Sequence, residues 1–355
     1  MSDTQPLLEI RDLKTHFHLR EGIVRAVDGA SFAIRQGQAI GLVGESGSGK
    51  SMTARTILRI TPPTARVSGE VWFHRRMPDA PRDAAGQLAQ AVDLVQMDRT
   101  GPEIRAIRGA EIAMIFQEPM SSFSPVHTIG NQIGEAILLH QAVDQREARR
   151  RAIEALELVG MPNPRRNIDR YPHQLSGGMR QRAMIAQALS CRPALLIADE
   201  PTTALDVTTQ AQILKLMKDL QRELGMAILF ITHDLGVIAR MTRHVLVMYM
   251  GKVVESAPVE RLFAGPQHPY TQALLRSIPR LKRKLDRLAV IPGSVPDPFR
   301  LPAGCRFHPR CPLAIAGVCD VAEPPDIEVA PSHRVRCVAV ASASTAVGRQ
   351  SSLVV

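Results

Sequence analysis

The chain has 355 residues, 45% of them hydrophobic, and a formal net charge of +10 at pH 7. This length is sufficient for two or three structural units around a large hydrophobic core. Because the sequence has no run of 18 or more apolar residues, we expect no membrane-spanning helix. Its start, Met-Ser-Asp-Thr-Gln-Pro, lacks the charged and apolar regions of a secretion signal, so secretion is not expected.

The first third of the chain shows mainly strand signals. Residues 7 to 38 alternate in β fashion around the turn Arg20-Glu-Gly-Ile23, which predicts strands on both sides of this turn. Residues 39 to 73 contain an apolar strand, a glycine-rich loop and a helical stretch. Residues 74 to 95 contain prolines with small or polar residues, and we interpret them as a local insertion without a chemical signature.

The glycine-rich loop follows the apolar run Ala39–Val43 and matches Gly-x4-Gly-Lys-Ser. This strand-loop-helix context is the one that a phosphate-binding loop (P-loop) requires. Its glycines allow backbone N–H groups to face phosphate, Lys50 supplies positive charge to the outer phosphates of ATP, and the Ser51 hydroxyl can bind Mg²⁺. The alternative is a glycine-rich turn that binds no nucleotide. The motif consists of Gly44, Glu45, Ser46, Gly47, Ser48, Gly49, Lys50 and Ser51.

A second anion site is predicted where Ser176, Gly177 and Gly178 begin a helix over residues 179 to 190. The free N–H groups and the positive dipole end of a helix attract anions. The alternative is an ordinary helix N-cap. Because one nucleotide does not need two such sites in one chain, the simplest interpretation is that the second site closes on ATP held by another subunit.

An apolar strand, Ala194–Ala198, ends in two carboxylates, Asp199 and Glu200. Carboxylates suit phosphoryl transfer, in which protein groups mainly position charge and water. Two solvated acids at a strand end are the alternative. From here to residue 256, strand and helix signals alternate, which predicts a largely parallel sheet.

These three motifs, in this order, resemble those of the ATP-binding subunits of ABC transporters over residues 7 to about 260. The resemblance implies an α/β fold, a P-loop NTPase (ABC ATPase) core with an antiparallel β subdomain and a helical subdomain at about 120–176. It also implies that Asp199 holds Mg²⁺ through water and that Glu200 is the general base that polarises the attacking water.

Four single residues acquire roles from the same resemblance. Gln117 matches the Q-loop glutamine, which contacts metal and water, and His233 matches the switch histidine that reaches the γ-phosphate. Asp206 matches the D-loop that touches the partner subunit, and Phe17 falls where the family stacks an aromatic ring on adenine. Outside the family context, Gln117 and His233 would be structural residues and Phe17 a core residue.

Further markers resemble importers of dipeptides and oligopeptides. The segment Gln117–Pro125 is similar to the one that faces the coupling helices of their membrane subunits, and Phe123 in it is either an exposed docking residue or a buried anchor. Met179 replaces the glutamine frequent after the signature glycines, a variant common in this branch. Three C-terminal blocks extend the resemblance to about residue 338, namely His268–Leu275, Ile291–Pro296 and Gly304–Pro312.

We expect an ATPase domain over residues 1–260, an extension over 261–340 and a disordered tail over 341–355. A reducing cytosol disfavours disulfides among the cysteines of the extension, and their spacing lacks the Cys-x2-Cys pairs of most zinc modules. An iron–sulfur cluster, zinc and free thiols therefore remain open. Relatives with this extension resemble carriers of a 4Fe-4S cluster, which favours the cluster. His308 and His333 could substitute for cysteine ligands, but we interpret them as surface residues. The four cysteines are Cys305, Cys311, Cys319 and Cys337.

The leading interpretation is an ATPase subunit that energises uptake of dipeptides or oligopeptides by a multi-subunit ABC importer, at the cytoplasmic face of the inner or plasma membrane. The resemblance implies a second ATPase subunit, a paralogue of this chain, two transmembrane permease subunits and an extracytoplasmic peptide-binding protein. Nickel complexes, glutathione and sugars remain open as cargo.

The alternative function is a soluble ABC ATPase that acts on nucleic acid or ribosomes, a class compatible with the basic charge. The densest basic cluster, residues 280–287, has no interleaved aromatic residues and no nucleic-acid module around it. No nucleic-acid partner is therefore expected.

Overall fold

The structure, a computed structural model, describes residues 5–75, 91–117, 122–203, 205–277 and 291–340. The basic cluster at 280–287 and the predicted disordered tail lie outside the described residues, as do the middle of the predicted insertion and part of the segment Gln117–Pro125.

The strands are β1 (Leu8–Leu19), β2 (Gly22–Ile34), β3 (Ala39–Val43), β4 (Ala65–His74), β5 (Ala91–Asp93), β6 (Ile112–Ile115), β7 (Leu195–Asp199), β8 (Ala227–Ile231), β9 (His244–Tyr249), β10 (Lys252–Pro258), β11 (Asp326–Ala330) and β12 (His333–Arg336). The α-helices are α1 (Lys50–Ile57), α2 (Pro102–Ile107), α3 (Ile129–His140), α4 (Gln145–Leu158), α5 (Pro164–Asn167), α6 (Gly177–Leu189), α7 (Val207–Leu224), α8 (Leu235–Met241), α9 (Val259–Ala264) and α10 (Pro269–Arg276). Short 3₁₀ turns cover Pro172–Gln174 and His308–Arg310. None of the helices in the described part of the chain is long and apolar enough to cross a membrane.

An antiparallel sheet has the strand order β2-β1-β4-β5. Leu19 pairs with Gly22 across a tight turn, so the predicted antiparallel pair is present. The interpretation of residues 74–95 as an insertion is wrong at its C-terminal end, because β5 pairs with β4. The Asp93 carboxylate accepts hydrogen bonds from the backbone N–H groups of Val71 and Val95, at 2.9 and 3.0 Å.

The main sheet has the order β11-β12-β10-β9-β3-β8-β7-β6. Strands β9, β3, β8, β7 and β6 run parallel, as the alternating pattern predicts. All residues of β7 and β8 are buried, because helices and the second sheet cover parallel strands on both faces. The carboxyl ends of parallel strands meet at one edge, where α/β proteins bind ligands.

The helical subdomain is built from α3, α4 and α5, and α6 packs against it. The side chains of Thr128 and Asp144 cap α3 and α4 by accepting hydrogen bonds from backbone N–H groups. Apolar side chains from α3, such as Ile133 and Ile137, join the same core as α6. Phe123 is 4% exposed, so it is a buried anchor of its loop and not an exposed docking residue.

The C-terminal extension joins the main sheet. Strand β12 pairs with β10, with Val335 opposite Glu255, and β11 adds a further antiparallel strand. The expectation that His333 lies at the surface is wrong, since its ring is buried and lies 2.7 Å from the Glu255 carboxylate. The boundary at residue 260 stays a prediction, but the sheet itself continues across it.

Candidate nucleotide-binding site

The P-loop connects the end of β3 to the start of α1 at one edge of the main sheet. Gly49 has φ +105°, and a Cβ there would lie 2.2 Å from the carbonyl oxygen of Ala26. A Cβ on Gly44 would lie 2.1 Å from the carbonyl oxygen of Met248. These two positions therefore require glycine, because the loop packs directly on the backbones of β2 and β9.

Lys50 is the first residue of α1, and its side chain folds back over the loop. Its Nζ donates hydrogen bonds to the carbonyl oxygens of Gly44 and Glu45, at 2.8 and 2.9 Å. Burial lowers the pKa of Lys50, and the nearby carboxylates of Glu200 and Asp199 oppose that effect. The ammonium is thus held at the mouth of the loop by hydrogen bonds to two carbonyl oxygens and by attraction to the two carboxylates, a position that suits binding of a phosphate.

Ser51 and Asp199 form the part of the site that would hold Mg²⁺. Ser51 Oγ donates a hydrogen bond to Asp199 Oδ1 at 3.0 Å, so the hydroxyl and the carboxylate lie side by side. Asp199 is 2% exposed, and burial raises its pKa. Hydroxyl and carboxylate oxygens are the ligands that Mg²⁺ prefers, so these residues fit the ion.

Glu200 follows at the end of β7, and three side chains bond its carboxylate. Gln117 Nε2 donates to Oε2 at 3.1 Å, Thr203 Oγ1 donates to Oε2 at 2.8 Å, and His233 Nδ1 lies 2.9 Å from Oε1. Burial opposes ionisation of Glu200, but the hydrogen bonds from His233 and Thr203 outweigh it and lower its pKa. Glu200 is therefore an ionised carboxylate held in one orientation.

The backbone of Glu200 is also constrained. Its φ is +48°, in the left-handed region, and its N–H donates to the carbonyl oxygen of Ile231 at 2.8 Å. Non-glycine residues in this region are uncommon and cluster at functional sites. Thr203 is a residue that the sequence analysis missed, and its place three residues after Glu200 is the only signal that could have found it.

The structure brings together six of the predicted site residues at this edge, namely Lys50, Ser51, Gln117, Asp199, Glu200 and His233. Phe17 lies on β1, opposite Val24 and Ala65, and is half-buried. Its predicted contact with adenine stays a prediction.

The signature residues begin helix α6. Ser176 is its N-cap, and its hydroxyl accepts a hydrogen bond from Met179 N at 3.4 Å. A Cβ on Gly178 would lie 2.9 Å from Thr209 in α7, whose own N-cap is Asp206. The structure thus places the signature beside the D-loop helix.

The four cysteines of the extension line one small cavity, together with His268 and Phe307. Burial, with the neighbouring thiols, raises the pKa of Cys305 to about 11. Within the described ranges, however, no group of three or more histidine, cysteine, aspartate or glutamate side chains is arranged to hold a metal ion. A metal or cluster in this cavity therefore remains a proposal.

Residues 27–203 match the model of the ABC transporter family, and residues 254–319 match that of the oligopeptide/dipeptide transporter C-terminal region. A probable peptide ABC transporter ATP-binding protein of Sinorhizobium fredii is 50% identical over 334 residues, which cover 93% of this chain and 94% of that protein. The chain belongs to the ABC transporter ATP-binding family. This ABC ATPase is also 49% identical to the oligopeptide transport ATP-binding protein AppD of Bacillus subtilis, over 87% of this chain and 89% of that one.

The fold of this ABC ATPase is also similar to solved structures. The ATP-binding cassette MJ0796, in a dimeric post-hydrolysis state with ADP and Pi, matches with a TM-score of 0.59 and 27% sequence identity. The match covers 71% of this chain and 98% of that cassette. The predicted fold class, an α/β fold with a P-loop ABC ATPase core, is therefore confirmed.

Proposed function

We propose that this ABC ATPase powers uptake of dipeptides or oligopeptides as one of two ATPase subunits in a membrane importer. The observation that carries the proposal is that one chain joins an ABC transporter ATP-binding region to a C-terminal region of the oligopeptide/dipeptide transporter type. The names of the similar proteins from Sinorhizobium fredii and Bacillus subtilis support peptide transport.

In the proposed mechanism, the P-loop backbone and Lys50 bind the phosphates of ATP, and Phe17 stacks on adenine. Ser51, Asp199 and Gln117 would hold Mg²⁺, which neutralises charge on the outer phosphates. Glu200 accepts hydrogen bonds and is ionised, so it can polarise a water molecule aimed at the γ-phosphate.

We propose that His233 contacts the γ-phosphate as well as the Glu200 carboxylate. Its Nδ1 lies 2.9 Å from Glu200, and its side chain is 66% exposed, so the ring is accessible to a nucleotide. Hydrolysis then depends on positioning and on charge stabilisation, with little covalent work for the protein.

Ser176, Gly177 and Gly178 would complete the ATP site of a partner subunit. Their backbone N–H groups open a 13-residue helix, which is a natural site for a phosphate group. Gly178 lies beside Thr209 of α7, while Ser176 and Gly177 are exposed and accessible to a second chain. We propose that the partner is a paralogue and that both chains lie at the cytoplasmic face of the membrane.

Co-purification tests the proposed assembly. The tagged chain, extracted from membranes with a mild detergent, should carry a second ATPase chain, two permease chains and an extracytoplasmic peptide-binding protein, and a dipeptide should raise its ATP turnover. Recovery with ribosomes or nucleic acid, and without permease chains, would contradict the proposal.

For the cavity lined by the four cysteines, we propose a 4Fe-4S cluster, with Zn²⁺ as the alternative. Four thiols in one buried cavity form a donor set suited to iron. Anaerobically purified protein should be brown, with broad absorbance at about 400 nm. Stoichiometric zinc without iron in elemental analysis would establish the alternative.

A further inference from the structure

The C-terminal extension contacts the P-loop at Glu45. Tyr270 Oη accepts a hydrogen bond from the backbone N–H of Glu45 at 2.8 Å. The Arg310 guanidinium donates to both carboxylate oxygens of Glu45, at 2.9 and 3.2 Å. A bidentate pair of this kind fixes the orientation of both side chains.

Arg310 is held in place independently of Glu45. Its side chain is 4% exposed, and its Nε donates to the carbonyl oxygen of Pro292 at 3.0 Å. Its guanidinium carbon lies 5.9 Å from the ring centroids of Tyr249 and Phe307. An arginine restrained in this way is preorganised, so it loses little freedom when it pairs with Glu45.

Tyr270 belongs to the same rigid cluster of rings. Its ring centroid lies 4.6 Å from that of Tyr249 and 5.4 Å from that of Phe307, and all three rings are buried. Tyr249 is the last residue of β9, the parallel neighbour of the P-loop strand β3. The extension thus holds two fixed polar groups, Tyr270 Oη and the Arg310 guanidinium, against the P-loop. The rings that fix them pack on Tyr249, which belongs to the same sheet as the P-loop strand.

Glu45 connects these contacts to Lys50. Its side chain is held by Arg310, its N–H by Tyr270, and its carbonyl oxygen accepts a hydrogen bond from Lys50 Nζ at 2.9 Å. The same carbonyl oxygen also accepts a hydrogen bond from the backbone N–H of Ser48 at 3.2 Å. Loss of the contacts on the extension side would leave Glu45 held only from within the P-loop, so the carbonyl that orients Lys50 could shift.

We infer that Arg310 and Tyr270 are positioning residues for ATP, which act through Glu45 on the conformation of the P-loop. The inference rests on the proposed role of Lys50 in nucleotide binding. The extension would therefore contribute to the ATPase reaction. Arg310, which makes the side-chain contact to Glu45, lies in the turn between Cys305 and Cys311.

Arg306 provides a matched control in the same turn. It is buried and pairs with Asp28 on β2, and it donates to the carbonyl oxygen of Met250. It therefore anchors the turn to the β subdomain and has no hydrogen bond to the P-loop among the described contacts. Loss of Arg306 should loosen the extension without releasing Glu45.

The test is an equilibrium titration of the full chain with ATP, at a temperature at which each variant is folded. Arg310→Gln should weaken ATP affinity by about tenfold, a usual coupling between contacting residues. Arg310→Lys should be intermediate, because an ammonium cannot form the bidentate pair. Tyr270→Phe, which keeps the ring packing, should weaken ATP affinity by a few-fold, whereas Arg306→Gln should lower the thermal midpoint and leave the affinity of folded protein unchanged.

The double variant separates action through Glu45 from general damage. Glu45→Gln should weaken ATP binding to a similar degree, and adding Arg310→Gln to it should cause no further loss. Unchanged affinity in Arg310→Gln and Tyr270→Phe, fully additive losses, or an equal loss in Arg306→Gln would overturn the inference. Lys50→Ala tests the nucleotide site itself. If this variant binds ATP normally, the proposed function fails. If Lys50→Ala loses ATP binding while the Arg310 and Tyr270 variants keep it, only the inference fails.

Discussion

Glu200 has the most closely defined environment of any residue in the proposed site, with Gln117, Thr203 and His233 bonded to one carboxylate. We expect Glu200→Gln to retain ATP binding and to lower ATP turnover by roughly 10² to 10⁴-fold, because the amide keeps the shape but cannot act as a base. Turnover of the assembled transporter checks this. Substitution of the exposed Glu223 by Gln is the control. Near-wild-type turnover in Glu200→Gln would show that Glu200 is not the general base.

His244 leads to a prediction on acid stability. Burial first, then the positive charge of Arg35 and His333, lowers its pKa to about 4, from 6.5 when unfolded. Between about pH 6.5 and pH 4, His244 binds a proton in the unfolded chain but not in the folded chain. The contribution of His244 to stability is therefore fully present above about pH 6.5 and is lost as the pH falls towards 4.

Protonation of His244 alone should lower the free energy of unfolding by at most about 3 kcal/mol. His244→Gln, which retains a polar group for Ser256, should reduce the difference in thermal midpoint between pH 7 and pH 5. A pH dependence equal to that of the parent would show that other groups control acid stability.

Sequence patterns located the residues that belong to local motifs. Lys50 and Ser51 follow a loop of set length, and Asp199 and Glu200 lie where a buried strand must end, so elementary rules are sufficient for them. Arg310 could not be found in this way, because its partner Glu45 is 265 residues away and such a contact leaves no periodic signal. For Thr203 the only signal was its place three residues after Glu200. His333 was misassigned since its burial depends on Glu255, 78 residues away.

At the scale of elements, the P-loop allows a comparison of two glycines. Gly49 has φ +105° and no room for a Cβ, whereas Gly47 has φ +76° and nothing within 4 Å. Gly49→Ala should destabilise the protein by about 2 to 4 kcal/mol and abolish ATP binding, because strain and overlap act together.

Gly47→Ala should cost about 1 kcal/mol, from the backbone conformation alone, and leave most of the ATP affinity. Urea unfolding and ATP titration measure both variants. Equal effects of the two substitutions would mean that the packing of the loop on Ala26 does not govern its conformation.

Element predictions succeeded where periodicity was strong and failed where strands were short. The buried runs of β7 and β8 and the helices of the helical subdomain have clear patterns. Strand β5 has only three residues, and β12 is His-Arg-Val-Arg, with one apolar side chain facing the core. Such segments are identified as strands by the partner that they pair with, which the sequence does not reveal.

At the scale of the whole molecule, the extension continues the ATPase sheet and reaches the P-loop, so the two regions matched by separate family models behave as one structural unit. The proposed ATP site, by contrast, is shared between two chains through the signature. Ser176 and its two glycines begin a helix whose N-terminus would meet an ATP held by another chain.

Ser176→Arg tests this shared-site account most directly, when ATP affinity of the isolated chain and ATP turnover of the assembled transporter are measured on the same variant. A bulky cation at the signature should leave ATP affinity at the chain's own P-loop unchanged, and it should lower turnover at the site completed by the partner. The exposed Ser332→Arg in the extension serves as the control and should alter neither quantity. A collapse of ATP affinity in isolated Ser176→Arg, or normal turnover in the assembled transporter, would contradict the account.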